Sequence, residues 1–70
     1  MNVIWSARAL AAWRVLDMKT AEAVARVVDD FSRGSVTAYF LNGEYHLYVD
    51  GLTIVVLIDG DTLHVWHIRH

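Results

Sequence analysis

Three two-residue turn signals divide the second half of the chain. They are Asn42-Gly43, Asp50-Gly51 and Asp59-Gly60, and each pair favours a type I′ hairpin turn, in which both central residues have positive φ. The segments that they separate are VTAYFL, EYHLYV, LTIVVLI and DTLHVWHIR. These segments are rich in β-branched and aromatic residues, which favour strands. The pattern therefore predicts a four-stranded antiparallel meander.

The first half of the chain has helical periodicity instead. Apolar residues recur at i, i+3, i+4 and i+7 as Val24, Val27, Val28 and Phe31, and Gly34 is well placed to end this helix. A shorter helix over residues 7–16 follows Ser6, a favourable N-cap. Residues 3–5 form a candidate strand before it. The predicted fold class is α+β, with a two-helix hairpin packed on an antiparallel sheet of four to five strands.

Two-residue turns also predict which residues face one another across the sheet. Two rows are predicted on one face: Tyr39, His46, Val55 and His64 in the first, and Thr37, Tyr48, Thr53 and Trp66 in the second. The other face is apolar and is expected to pack on the helices: Val36, Ala38, Phe40, Tyr45, Leu47, Val49, Leu52, Ile54, Val56, Leu63 and Val65. The face that carries the two rows is therefore expected to be aromatic and polar rather than charged.

Composition limits the chemistry that the chain can perform. Seventy residues correspond to one domain, residues 1–70. The chain has no cysteine and a net charge of −2, which argues against non-specific nucleic-acid binding. His64 and His67 lie three residues apart, so on a regular strand they point to opposite faces. We therefore expect ordinary surface histidines, no metal site and no cofactor.

The ends and the apolar segments bear on location and assembly. The first ten residues lack the basic start of a signal peptide, and the apolar run from Leu52 to Ile58 is too short to span a bilayer. A cytoplasmic chain without membrane contact is predicted. The same run is apolar on both faces, as expected of a strand covered on both sides. One cover would be the helices, and the other would be a partner chain, with a second copy as one candidate.

Four segments together resemble the RelE/ParE toxin family. Residues 3–10, VIWSARAL, are similar to the family's opening V-x-W-S-x-x-A-L. Residues 41–49, LNGEYHLYV, resemble L-x-G-x-Y-R-L-R-V, and residues 58–65, IDGDTLHV, resemble x-D-x-D-x-x-x-V. The closing WHIRH of residues 66–70 is similar to L-R-V-x-H-R. The order and spacing of these segments cover essentially the whole chain.

The resemblance implies the toxin of a bacterial type II toxin–antitoxin system, bound and neutralised by a cognate antitoxin. RelE-like members cleave mRNA in the ribosome, whereas ParE-like members poison DNA gyrase. In the RelE type, arginines and lysines with a C-terminal tyrosine or histidine lie on the open sheet face. There they hold phosphate and stabilise its charge during attack by the 2′-hydroxyl group.

The chain departs from this family pattern at the basic positions. The two arginines of Y-R-L-R-V are replaced by His46 and Tyr48, and a third by Thr53. If RNA is still cleaved, the candidates for proton transfer are His46 and His70. Substrate contacts are then expected from Tyr48, Thr53, His64, Trp66 and Arg69. The alternatives are a gyrase-directed toxin, a degenerate toxin, and a non-enzymatic interaction module such as a homodimer.

Overall fold

The computed structural model describes residues 1–70, which form one five-stranded sheet and two helices. The elements are β1 (Asn2–Trp5), α1 (Ala7–Arg14), α2 (Met18–Ser32), β2 (Tyr39–Leu41), β3 (Glu44–Val49), β4 (Leu52–Asp59) and β5 (Thr62–Arg69). The strand order across the sheet is β1-β5-β4-β3-β2. The predicted α+β class and the four-stranded meander are confirmed. No helix is long and apolar enough to cross a membrane.

The sheet is mixed, so the prediction of a wholly antiparallel sheet is wrong in one strand. β1 pairs with β5 in parallel, from Asn2 opposite Thr62 to Trp5 opposite Val65. Parallel neighbours need a long connection between them, and here the helices and the first three strands of the meander supply it. Hairpin turns report only on consecutive strands, and for that reason they gave no information on this pairing.

Each helix begins at a polar cap. Ser6 Oγ accepts a hydrogen bond from the Ala9 N–H at 3.0 Å, and Asp17 accepts one from the Thr20 N–H at 3.4 Å. Hydrogen bonds from Thr20 are the main reason why the pKa of Asp17 lies below its ordinary value. α1 ends at Arg14, two residues earlier than predicted. The indole Nε1–H of Trp13 donates to the Ala21 carbonyl at 2.9 Å, which fastens the two helices together.

The core lies between the helices and one face of the sheet. Its buried residues are Ala9, Val24, Val28, Leu47, Leu52, Ile54, Val56, Leu63, Val65 and Ile68. α1 packs on β5 and α2 on β3. Phe40 was predicted to be buried, but its exposed fraction is 61%, because β2 lies at the edge of the sheet beyond the cover of the helices. Its ring still packs at 4.8 Å from the ring of Tyr45.

Two of the three predicted turns are confirmed and the third differs. Asn42-Gly43 and Asp50-Gly51 have positive φ at both residues, as type I′ turns require. In the third turn Asp59 belongs to β4 and faces Thr62, so the turn residues are Gly60 and Asp61. Only Gly60 has positive φ, at +59°, which corresponds to a type II′ turn. Every facing pair between β4 and β5 is therefore displaced from its predicted position.

A β-bulge in β5 changes the register a second time. Val56 faces Val65, whereas Val55 faces His67, and Trp66 between them is the extra residue. Two hydrogen bonds from Ser6 hold this segment: its N–H donates to the Val65 carbonyl at 2.9 Å and its hydroxyl to the Trp66 carbonyl at 2.7 Å. The bulge exchanges the faces of the last residues of β5, so that Ile68 enters the core.

Candidate functional site

The sheet face opposite the helices, called the open face below, includes two neighbouring rows that hold most of the predicted site residues on β2, β3 and β4. The first row is Tyr39, His46, Val55 and His67, and the second is Tyr48, Thr53 and Arg69. The predicted pairs Tyr39 with His46, His46 with Val55, and Tyr48 with Thr53 are confirmed. The predicted β5 members, His64 and Trp66, are wrong because of the shifted turn and the bulge. Thr37 precedes β2 and lies outside the sheet.

The remaining predicted site residues are dispersed. His64 lies on the open face but faces Leu57, one row away from His46. Trp66 is half-exposed at the bulge, and its backbone carbonyl is bound by Ser6. His70 is exposed beyond the end of β5. The structure thus brings together His46, Tyr48, Thr53 and Arg69, and it places His64, Trp66 and His70 outside these two rows.

His46 is the one buried polar residue of the chain. Its exposed fraction is 6%, so the prediction of an ordinary surface histidine is wrong for this residue. The ring Nε2 lies 3.1 Å from Oε1 of Glu44, two residues earlier on the same face of β3. Because a carboxylate oxygen accepts, Nε2–H is the donor, and Nδ1 is left as the acceptor nitrogen of the neutral ring. Glu44 thereby fixes both the orientation and the tautomer of the imidazole.

An aromatic cleft opens at the β2 end of this face. It has a volume of about 580 Å³ and is lined by Thr37, Ala38, Tyr39, Phe40, His46 and Tyr48. The Tyr39 and Tyr48 rings meet edge to face with centroids 6.4 Å apart, and the His46 and Tyr48 rings do so at 6.5 Å. Both tyrosines are largely exposed, at 70% and 61%. This cleft, called the aromatic cleft below, therefore exposes the two tyrosine rings to solvent beside the imidazole of His46.

Positive charge is scarce at this surface. Arg69 is the only lysine or arginine in any of the five strands, and none lines the aromatic cleft. No group of three or more His, Asp or Glu side chains is placed to hold a metal ion. The open face therefore offers one permanent cation, several imidazoles and phenol rings, which agrees with the replacement of basic residues seen in the sequence.

His67 lies on the open face, although regular alternation along β5 predicts the core face for it. Through the bulge it faces Val55 and shares a row with His46, two strand spacings or about 10 Å away. Its Nδ1 atom is buried and has no hydrogen-bond partner. Only knowledge of the bulge would have identified it, since regular alternation from Leu63 assigns His67 to the core face.

Replacement of His67 by leucine is expected to stabilise the chain. A buried acceptor without a partner costs about 1–3 kcal/mol, and an apolar side chain of similar size removes that cost. We expect the free energy of unfolding in urea to rise by about 1 kcal/mol. His64→Leu is the control on the same strand, where no unpartnered buried atom exists. A lower stability of the His67→Leu protein would show that Nδ1 is satisfied in solution.

The central strand of the sheet needs no partner chain to explain its composition. β4 lies in the middle of the sheet, with core residues on one side, while Val55 on the open face is only 2% exposed. Neighbouring side chains of the same molecule already cover it. The apolar run of β4 therefore does not by itself indicate a homodimer.

Apolar side chains are instead exposed at the edge of the sheet formed by β1. Val3 and Ile4 are exposed at 37% and 51%, and the outer side of β1 has no strand neighbour. A groove of about 270 Å³ lies nearby, lined by Trp5, Leu10, Trp13 and Ala25. Free strand edges and apolar grooves are common features of surfaces that bind other chains.

Comparison with known proteins shows the fold but no relative in sequence. No model of a protein family matches the chain, and no curated protein matches it. A chain in the crystal structure of the intact E. coli RelBE toxin–antitoxin complex superposes with a TM-score of 0.82 and 14% identity, covering 97% of this chain and 93% of that one. A chain in the heterotetrameric YoeB-YefM toxin–antitoxin complex from Staphylococcus aureus gives a TM-score of 0.78 and 13% identity, covering 100% and 95%. The chain shares the fold of these two chains.

Proposed function

We propose that this chain is the toxin component of a type II toxin–antitoxin pair and is neutralised by a cognate antitoxin. The observation that carries the proposal is the fold similarity over nearly the full length of both chains, to proteins whose structures are toxin–antitoxin complexes. The exposed apolar edge at Val3 and Ile4 supports a protein partner, because a free strand edge can pair with an added strand.

The open face supports an action on RNA through imidazole chemistry. His46 lines the aromatic cleft and its imidazole is oriented by Glu44, and an oriented imidazole can act as a general base. In this proposal His46 and His70 move protons during attack by a 2′-hydroxyl group. Arg69 contacts phosphate, and Tyr48, Thr53, His64 and Trp66 contact the nucleotides.

The second candidate is a toxin or interaction module that acts by binding alone. The observation that favours it is the scarcity of basic side chains: Arg69 is the one lysine or arginine in the five strands. Phosphoryl chemistry depends on cations that stabilise the developing charge, whereas binding a protein such as DNA gyrase needs none. A homodimeric module belongs to this class, and a chain that sediments as a monomer at micromolar concentration would argue against that version.

Induced expression tests the proposed function directly. We expect induction of the chain to arrest growth, and co-expression of a neighbouring gene that encodes its antitoxin to restore growth. The same gene with an early stop codon is the control for the burden of induction. Normal growth at a verified level of folded protein would overturn the proposal.

The cellular target follows from the first response to induction. Pulse labelling distinguishes the two actions, since RNA cleavage stops protein synthesis within minutes, whereas gyrase poisoning first induces the DNA-damage response. We expect the loss of protein synthesis to come first. DNA damage without an early fall in protein synthesis would favour the binding-only candidate.

A further inference from the structure

We propose that the aromatic cleft receives an arginine side chain of a protein partner. The partner is expected to be the antitoxin, an assignment that rests on the proposed function, whereas the recognition chemistry rests on the cleft itself. The proposed function assigns His46 and Tyr48 to RNA, so the partner's arginine would compete with RNA for this cleft, whose lining carries no permanent cation that would favour an anion.

The first argument is the arrangement of the rings. The faces of aromatic rings carry negative electrostatic potential and attract a cation within about 6 Å of the ring centre. Tyr39 and Tyr48 stand edge to face with centroids 6.4 Å apart, so the edge of one ring covers one face of the other and the remaining ring faces border the open space of the cleft. Both rings are largely exposed without any partner that would occupy that space.

The second argument is the carboxylate of Glu44, which lies outside the lining of the cleft but binds His46, one of the lining residues. Glu44 binds His46 through Oε1, and its other oxygen has no hydrogen-bond or ion-pair partner within the chain. Glu44, His46 and Tyr48 alternate along one face of β3. A guanidinium group suits this combination, because it is planar, stacks on aromatic rings and forms paired hydrogen bonds with carboxylates.

The third argument is charge complementarity. The residues that line the cleft include no lysine and no arginine, and the whole chain carries a net charge of −2. The lining also includes no Asp or Glu, so a phosphate group would find no permanent cation there, and the negative charge comes from Glu44 and from the chain as a whole. The same charges favour a basic peptide segment.

Titration of the isolated full-length chain with three probes tests this proposal. The probes are the blocked tripeptide Gly-Arg-Gly, the same peptide with citrulline in place of arginine, and a short uridine oligonucleotide. Citrulline preserves the shape of arginine and removes its charge. In two-dimensional NMR spectra we expect saturable shifts at the amides of Tyr39, His46 and Tyr48 with the arginine peptide, and weaker binding of the other two probes.

Variants of the chain separate the two contributions. Tyr48→Leu is expected to weaken binding of the arginine peptide by about two- to fivefold through loss of the ring, and Tyr48→Phe is expected to preserve it. Glu44→Gln is expected to weaken binding by about two- to fivefold as well. Glu22→Gln, which removes an equal charge from the exposed side of α2, is the control and is expected to change nothing.

Three results would overturn the assignment of an arginine site. They are the absence of saturable shifts with the arginine peptide, equal affinity for the citrulline peptide, and tighter binding of the oligonucleotide at the same residues. The last result would identify the cleft as a nucleotide site. None of these measurements depends on growth arrest, so failure of the cleft proposal and failure of the proposed function are distinguishable.

Discussion

Replacement of Ile54 by alanine is expected to bring the chain close to complete unfolding. Ile54 lies in the central strand β4, and its exposed fraction is 0%. Truncation of a buried isoleucine costs about 2–5 kcal/mol, because the apolar contact is lost and a cavity remains. A chain of this length has a total stability of roughly 4–10 kcal/mol. We expect the midpoint of urea unfolding, followed by tryptophan fluorescence, to fall by about half.

Ile58→Ala is the matched control for this prediction. Ile58 belongs to the same strand and is the same residue type, but its exposed fraction is 38%, so we expect a cost of less than about 1 kcal/mol. Equal losses at the two positions would contradict a core centred on the middle of β4.

The local signals in the sequence were sufficient to predict most of the fold. Turn residues act on their immediate neighbours, and the pairs at residues 42–43 and 50–51 determine two hairpins without help from the rest of the chain. The caps Ser6 and Asp17 likewise act within one helical turn. For the same reason β2, β3 and β4 have the predicted register, and their facing pairs are found in the structure.

The errors in β5 lie at its turn and at its bulge, and a tertiary contact holds the bulge. The third turn uses Gly60 and Asp61, although Asp59-Gly60 satisfies the same local rule. The bulge at Trp66 is held by Ser6, sixty residues earlier in the chain and at the start of α1. The residue pattern of β5 alone therefore could not predict the bulge. Together these two features moved His64 out of its predicted row and put His67 on the open face.

The candidate site was predictable in composition but not in detail. Its aromatic and weakly charged character followed from alternation along β3, which the structure preserves. The burial of His46 was not predicted, because it depends on how neighbouring side chains cover a curved sheet. The contact of His46 with Glu44 has a local origin, since residues two apart on a strand share a face.

Replacement of both His46 and His70 by glutamine is expected to abolish growth arrest if the chain acts on RNA as proposed. One general acid or base contributes about 10²–10⁴-fold to a reaction rate. His46 is expected to account for most of the effect, because it is buried and bound by Glu44, whereas His70 is exposed at the end of the chain. The measurements are colony formation after induction and mRNA cleavage in a translation extract.

The single variants assign the loss to one residue or the other. Glutamine preserves the length of His46 and its ability to bind Glu44, so thermal unfolding should be little changed and a loss of activity cannot be attributed to misfolding. His64→Gln is the control, because His64 lies one row away opposite Leu57. Unchanged growth arrest by the double variant would show that the open face does not act through these imidazoles, and it would favour the toxin that acts by binding alone.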